Sequence, residues 1–422
     1  MGGRLIDMRT RIHPTNLAVS LVAATALVII ASGCVRLVAL PLGSTVQPTP
    51  FVVEPSRSAP TPPIAARPVP SPALASSPAP VARVNLPTPT AEPTATPLPL
   101  YQPAQSTARV EGLAHYWQTW NNCGPATLAM NLSYYGSTLD QAAIGTVLRT
   151  HQDDKNVLPE ELVAFAQSQG FQAQVRVNGN DQQLRILLSN GIPVLLETWL
   201  EETPNDGMGH YRLLVGYDDA AQSWIAYDSY VRGPQVNPNG DYAGIYLPYE
   251  QTAAWWKVFN HTYVLVYTEA QRPLVAAILG DELDPARMWQ RALTSAQAAV
   301  AQQPDDAFLW FNLGTDLVQQ SDYAGAAAAY DQARTLGLPW RMLWYQFGPF
   351  QAYYAVGRLD DVMQLADSVL ANTRSIEEIH YWRGMVLAAQ GQAEAARQAW
   401  QQAIALNPHF APAQQALAES SG

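Results

Sequence analysis

A chain of 422 residues has room for two or three domains with cores of their own. Its net charge of −11 works against a polyanionic ligand and excludes nucleic acid as a partner. Only two cysteines are present, Cys34 and Cys123, too few and too differently placed to read as a disulfide framework.

At the N-terminus Arg4, Arg9 and Arg11 precede an uncharged apolar run over residues 17–33, closed by Cys34. A positive flank followed by a short apolar core is the pattern of an export signal. The end of that core, Ala31, Ser32, Gly33 and Cys34, resembles the lipobox of bacterial lipoproteins, although that family more often has Leu, Val or Ile where Ala31 stands. The resemblance implies a signal over residues 1–34 and lipid attachment at Cys34. The alternative is an uncleaved membrane anchor, since the run barely reaches spanning length. Both readings place the remaining chain outside the cytoplasm, anchored to the bacterial cell membrane. Residues 35–108 are rich in Pro, Ala, Thr and Ser, with Pro60, Pro62, Pro63, Pro68, Pro70, Pro97 and Pro99 among them. Such a segment cannot bury a core, and it reads as a disordered linker biased to polyproline II. At about 3.1 Å per residue its upper reach is on the order of 200 Å.

Periodicity begins near residue 109. Residues 126–135 read as a helix with Leu128, Leu132 and Tyr135 on one face and Gly136 after it. Residues 139–149 and 159–169 read as two more helices, the second with Pro159 in its first turn and Gly170 past its end. A strand is expected over 171–177, then a helix over 181–190 capped by Asp181 and stopped by Gly191. Apolar strands follow at 192–199, 211–217, 224–230 and 261–267, with a short helix over 249–258 carrying Trp255 and Trp256. Helices first and strands second predict an α+β domain over 109–270 with a mostly antiparallel sheet.

From residue 273 the chain is helical and repetitive. Gly314, Ala326, Tyr330 and Ala333 recur as Gly384, Ala396, Trp400 and Ala403 at one common offset. Half that offset is close to the period of a tetratricopeptide repeat, and residues 273–412 resemble about four such repeats, one degenerate. A first copy would carry Gly280, Ala292 and Ala299, and a middle copy would set Gly357 against Gly391. Small residues let paired helices approach while Trp310, Tyr330 and Trp400 fill the gaps. The region is expected to be an all-α solenoid offering a concave surface to a peptide or protein.

Cys123 enters a helix, whose N-terminal partial positive charge favours thiolate. A nucleophilic cysteine also needs a base and donors for the oxyanion. His210 opens an apolar strand beside Gly207 and Gly209, at a strand mouth. Asp228 ends the next strand and would lie beside His210 if the two pair as a hairpin, fixing its tautomer. Asp218 and Asp219 compete for that role from the other end of the His210 strand. Gln118, five residues before Cys123, could offer its amide to the oxyanion. His115 and Trp117 would line the cleft or pack on the following helix, while Glu197 and Trp199 end a strand near the mouth and could contact substrate. His151, Asp153 and Asp154 share no recognisable metal spacing and read as a solvated loop. No metal or cofactor is implied.

Gln118 with Asn122, Cys123, Gly124, Pro125 and Ala126, then Gly209, His210 and Tyr211 opening an apolar strand, then Tyr227 and Asp228, together resemble the papain-like family of bacteriocin-processing cysteine peptidases. The likeness is greatest to its exported members that lack a transporter, since no phosphate-binding loop is present. Many relatives keep the glutamine six residues before the cysteine, against five here. The resemblance implies a papain-like fold over 109–270 and a membrane-tethered peptidase with Cys123 as nucleophile, His210 as base, Asp228 as orienting acid and Gln118 at the oxyanion. Its substrate is a peptide or protein, and the repeats would bind substrate or a partner. Two alternatives stay open: a catalytically retired fold serving as an adaptor through its repeats, and a transpeptidase or amidase using the same nucleophile.

Overall fold

A computed structural model describes residues 101–154 and 156–420. The expected signal with Cys34 and most of the expected linker lie outside the described residues. The linker expected to reach residue 108 ends sooner. Asn190 Oδ1 accepts from the Gln102 N–H at 2.9 Å, and strand β1 (Thr107–Arg109) already pairs with the sheet.

Three helices come first: α1 (Cys123–Ser133), α2 (Gln141–Leu148) and α3 (Pro159–Ser168). Asp140 caps α2 by accepting from the N–H groups of Ala142 and Ala143. Pro159 starts α3, and Glu161 reaches back to the Leu158 N–H at 2.8 Å. Strand β2 (Gln172–Arg176) is followed by α4 (Asp181–Ser189). The cap of α4 is Asn180, which accepts from Gln183 N–H, and not Asp181, which is the first helical residue. Strands β3 (Val194–Leu200), β4 (Met208–Asp218), β5 (Ser223–Asp228) and β6 (Ile245–Pro248) follow, then α5 (Tyr249–Lys257) and β7 (Tyr263–Tyr267).

All pairings are antiparallel, in the order β2-β7-β3-β4-β5-β6, with β1 beside the far end of β4. The sheet buries both faces, which is why β3 to β5 read as nearly unbroken apolar runs. Leu195, Leu213 and Val215 face α1 and α3, with Leu128, Leu132, Leu162 and Phe165. Leu196, Leu214 and Ala226 face α4 and α5, with Leu184, Leu187 and Trp256. The architecture is α+β, with N-terminal helices and an antiparallel sheet.

Helix α6 (Arg272–Leu279) stays with this domain, burying Val275 and Leu279 in the α4 side of the core. Gly280 therefore ends α6 at a φ of +56°, and is not the helical glycine of a first repeat. Only the second helix of that copy is present, α7 (Pro285–Gln302), which carries Ala292 and Ala299. Among the described residues three helix pairs follow: α8 (Ala307–Gln319) with α9 (Tyr323–Leu336), α10 (Gly348–Ala355) with α11 (Leu359–Leu370), and α12 (Glu377–Ala389) with α13 (Ala393–Leu406). Helix α14 (Ala411–Glu419) closes the series. Gly357 and Gly391 sit in the same left-handed turn of two successive pairs, at φ of +77° and +78°.

The common offset has a packing cause. A Cβ built on Gly314 would meet the Tyr330 ring at 2.7 Å, and one on Gly384 would strike the Trp400 indole. Gly314→Ala is accordingly expected to cost about 1–3 kcal/mol through overpacking, read as a lowered urea midpoint with an unchanged m-value.

The helical arm is docked on the α+β domain at two places. Near the sheet, Lys257 pairs with Asp306, Asn260 Nδ2 donates to Asp316 at 2.7 Å, and Arg341 meets Asp206 at 2.7 Å. Trp199 and Phe259 are buried there with Phe311, Tyr330 and Trp344. At the far end, Thr150 Oγ1 donates to the Leu406 carbonyl at 2.5 Å and Asn407 Nδ2 to Glu161 at 3.2 Å. The segment expected as a solvated loop is part of this seam, and Asp154 is buried in it.

Candidate active site

Cys123 is the first residue of α1, three residues earlier than the apolar periodicity suggests. The residue before it, Asn122, makes no helix cap. Its side chain bridges instead to Gln141 at 2.9 Å and Arg149 at 3.4 Å, pinning α2 under the start of α1. The first N–H groups of α1 are thus not consumed by a cap, and that of Gly124 points at the sulfur. Gly124 lies against the Tyr211 ring of β4, which brings the helix start to the His210 strand.

The thiol of Cys123 and the imidazole of His210 are hydrogen-bonded side chain to side chain. Burial raises the thiol pKa. The hydrogen bond and charge of His210, with the N–H groups of Tyr211 and Gly124, outweigh it and bring the thiol below its ordinary value. His210 is buried, which disfavours its cation. The Asp228 carboxylate and the bond to Cys123 overcome that and push it up to about 9. Opposite shifts on two partners favour the thiolate–imidazolium pair at neutral pH.

Nε2 of His210 meets Asp228 Oδ1 at 3.0 Å, which leaves Nδ1 for the sulfur. The same Oδ1 accepts from the N–H groups of Tyr230 and Val231, both at 2.8 Å. Oδ2 accepts from Arg212 Nε at 3.0 Å. Burial alone would raise the Asp228 carboxyl, but His210, Arg212 and the Val231 N–H hold it well below the usual carboxylate range. Arg212 in turn donates to Thr198 Oγ1 and lies 4.7 Å from the Trp255 ring, while Thr198 donates to the His210 carbonyl at 2.8 Å. The result is a row of four groups, a half-buried thiol followed by a buried imidazole, carboxylate and guanidinium.

Of the competing acids, Asp218 accepts from Ala220 and Ala221 in a turn, and Asp219 is held by Tyr249 and Arg185. Neither reaches His210. Gln118 is brought to the acid's own turn: its N–H donates to the Ser229 carbonyl at 2.8 Å, and its Oε1 accepts from Ser229 Oγ at 2.8 Å. With the oxygen so engaged, the –NH2 end is the one available to a ligand. His115 does not face the thiol. Its Nε2 meets the Asp228 carbonyl at 2.8 Å and its ring stacks on Tyr242 at 3.5 Å, backing the acid from outside.

Sequence reading missed Arg212 and Tyr345. Arg212 follows His210 by two residues and pairs directly with Asp228, so strand alternation and hairpin register together carried the signal. Tyr345 comes from the helical arm and lies against Gly209, where an added Cβ would meet its ring at 3.0 Å. It lines the cleft with Cys123, His210, Glu197 and Tyr211. Nothing local in the sequence marks that contact.

Residues 104–254 match the family described as Peptidase_C39 like, and residues 377–410 match the tetratricopeptide repeat. The chain thus carries a C39-like domain followed by a tetratricopeptide repeat region. No curated protein matches the chain. Among solved structures it is similar to a C39-like peptidase from Bacillus anthracis, at 18% identity over 39% of this chain and 98% of that one, with a TM-score of 0.30. It is also similar to the peptidase domain of Streptococcus ComA, at 15% identity over 38% of this chain and 100% of that one, TM-score 0.29. It is similar as well to MamA from Desulfovibrio magneticus RS-1, at 18% identity over 32% of this chain and 74% of that one, TM-score 0.29.

Proposed function

We propose that this chain, built on a C39-like domain with a repeat arm, is a cysteine peptidase held outside the cytoplasm by a lipid or apolar anchor at its N-terminus. The observation that carries the reading is the hydrogen-bonded row Cys123–His210–Asp228 at the start of α1, opening into a cleft. The Cys123 thiolate attacks a scissile carbonyl, with the oxyanion accepting from the Cys123 N–H and the Gln118 amide. His210 imidazolium gives its proton to the leaving amine. Neutral His210 then takes a proton from water, whose oxygen attacks the thioester and releases the acid. Asp228 keeps the ring oriented and stabilises its cation through both steps. The repeats hold an extended substrate or a partner protein near the cleft.

Three measurements test this. Carboxamidomethylation of Cys123 is expected to stay fast below the ordinary thiol range and to slow by about 10²-fold in His210→Ala at pH 6.5. Intact-mass profiling of peptide libraries should show products with wild type and none with Cys123→Ala. Hydrolysis should fall as pH rises through about 9, because the proton that His210 must donate is lost there. A thiol reacting no faster than free cysteine, indifferent to His210→Ala, would leave the repeats as the functional part and make the chain an adaptor. Products that incorporate an added amine would assign it to transpeptidation.

A further inference from the structure

Glu197 stands in the middle of β3, directly opposite Tyr211 of β4, and lines the same cleft as Cys123 and His210. Its side chain is only 8% exposed. Asp228, equally out of reach of bulk water, is held by four donors. Glu197, among the described residues, has a backbone hydrogen bond from its N–H to Thr262 and none from its carboxyl group. A carboxyl so nearly buried and without a protein donor is costly to ionise.

The surrounding charges sharpen the point. Cys123 and His210 form one compensated pair, and Asp228 and Arg212 form another. Burial raises the Glu197 carboxyl well above its ordinary value, the negative charges of Glu160 and the Cys123 thiolate push it the same way, and among the described residues no ion pair offsets them. Tyr211 does not donate to it either, because the Tyr211 hydroxyl is given to the Val157 carbonyl at 2.8 Å. The walls on either side are the rings of Tyr211 and Tyr345, surfaces that suit a desolvated cation. A cation entering the cleft would ionise this carboxyl and give it the partner that the described residues do not.

We propose that Glu197 is a specificity-determining residue, taking an ammonium or guanidinium group that the substrate carries beside the bond attacked by Cys123. This rests on the peptidase reading above. The cation is either a basic side chain or a free amino terminus, and both present the same chemistry to the carboxylate.

The test has two arms, so that failure of the peptidase reading and failure of this assignment can be told apart. In the first, Cys123 is alkylated by cationic 2-bromoethylammonium and by neutral iodoacetamide, in wild type, Glu197→Gln and Glu197→Ala. The cation-to-neutral rate ratio is expected to fall about tenfold in both variants, about 1.4 kcal/mol at the sulfur. This arm needs no peptide hydrolysis and stands even if no library peptide is cleaved. In the second, peptides carrying Lys or norleucine beside the cleaved bond, each with a free or acetylated amino terminus, are compared by kcat/KM. Wild type should prefer the cationic member of one pair by tenfold or more, the pair identifying the source, and Glu197→Gln should lose that preference.

An unchanged alkylation ratio in Glu197→Gln would overturn the assignment, as would hydrolysis with no preference for a cation. So would a Gln variant that behaves as wild type while Ala fails, since that would make residue 197 an uncharged hydrogen-bond donor. Glutamine keeps the shape of glutamate, and an undiminished melting temperature for Glu197→Gln shows that the fold survives.

Discussion

Asp228→Asn is expected to lower kcat about 10⁴-fold and to destabilise the domain by about 3–5 kcal/mol. The reason is that every group around this carboxylate is a donor. His210 Nε2 and the N–H groups of Tyr230 and Val231 share Oδ1, and Arg212 Nε takes Oδ2. An asparagine must turn its own –NH2 toward one side or the other. Turned to Arg212, it strands a buried guanidinium; turned to Oδ1's partners, it faces three donors at once. Arg212→Met should also destabilise, because it leaves Asp228 without its counter-charge. In the double variant the loss is expected to be smaller than the sum of the single losses, since each change removes the group that the other leaves stranded. Urea midpoints of the four proteins measure this directly, and strict additivity would refute the coupling. The pH sign agrees: with its pKa depressed in the folded state, Asp228 contributes stability above the ordinary carboxylate value of about 3.9, and that contribution is lost as pH falls.

At the far seam between arm and domain, the expected result has the opposite sign. Asp154, Glu161, Glu377 and Glu378 are gathered between the start of α3 with the loop before it and the start of α12; burial raises all four, and repulsion from neighbouring carboxylates adds to it at Asp154, Glu161 and Glu378. Asp154 is pushed up to about 8 and Glu161 to about 7. The compensation is partial: Asn407 donates to Glu161 and Glu377, the Asn156 N–H to Asp154, and His151 and Arg149 lie near. Glu378 Oε2 is buried with no hydrogen-bond partner. The folded protein therefore binds more protons than the unfolded chain from about pH 4 upward, and stability declines as pH rises through about 7 to 8. Glu378→Gln should raise stability by about 2 kcal/mol at pH 8 and change it by less than about 0.5 kcal/mol at pH 5. Denaturation at the two pH values checks this; a loss at both would mean that the carboxyl is needed in its ionised form.

The sequence was most readable where one element determined the outcome. The thiol at the start of α1, the histidine at the mouth of β4 and the acid ending β5 needed only helix onset, strand alternation and one hairpin. The repeats announced themselves through Gly314 beneath Tyr330 and Gly384 beneath Trp400, because a close helix crossing demands a small residue at a fixed spacing. Short strands such as β1 and β6 were not legible, since three or four residues carry too little periodicity and β6 ends in Pro248. The Asp154 seam was hidden for a different cause. Its burial is created by α12, more than two hundred residues away, and local composition there says loop. Tyr345 was hidden in the same way.

That last contact carries a consequence of timing. Cys123, His210 and Asp228 all precede β6, whereas the Tyr345 wall of the cleft lies between α9 and α10. Synthesis delivers the reactive pair long before it delivers the enclosure. Until the later helices are made and settled against Trp199 and Phe259, the cleft beside the sulfur lacks its Tyr345 wall. One wall of the cleft is thus the last part of the site to be made, and a chain cut short before α10 would keep Cys123, His210 and Glu197 while losing Tyr345.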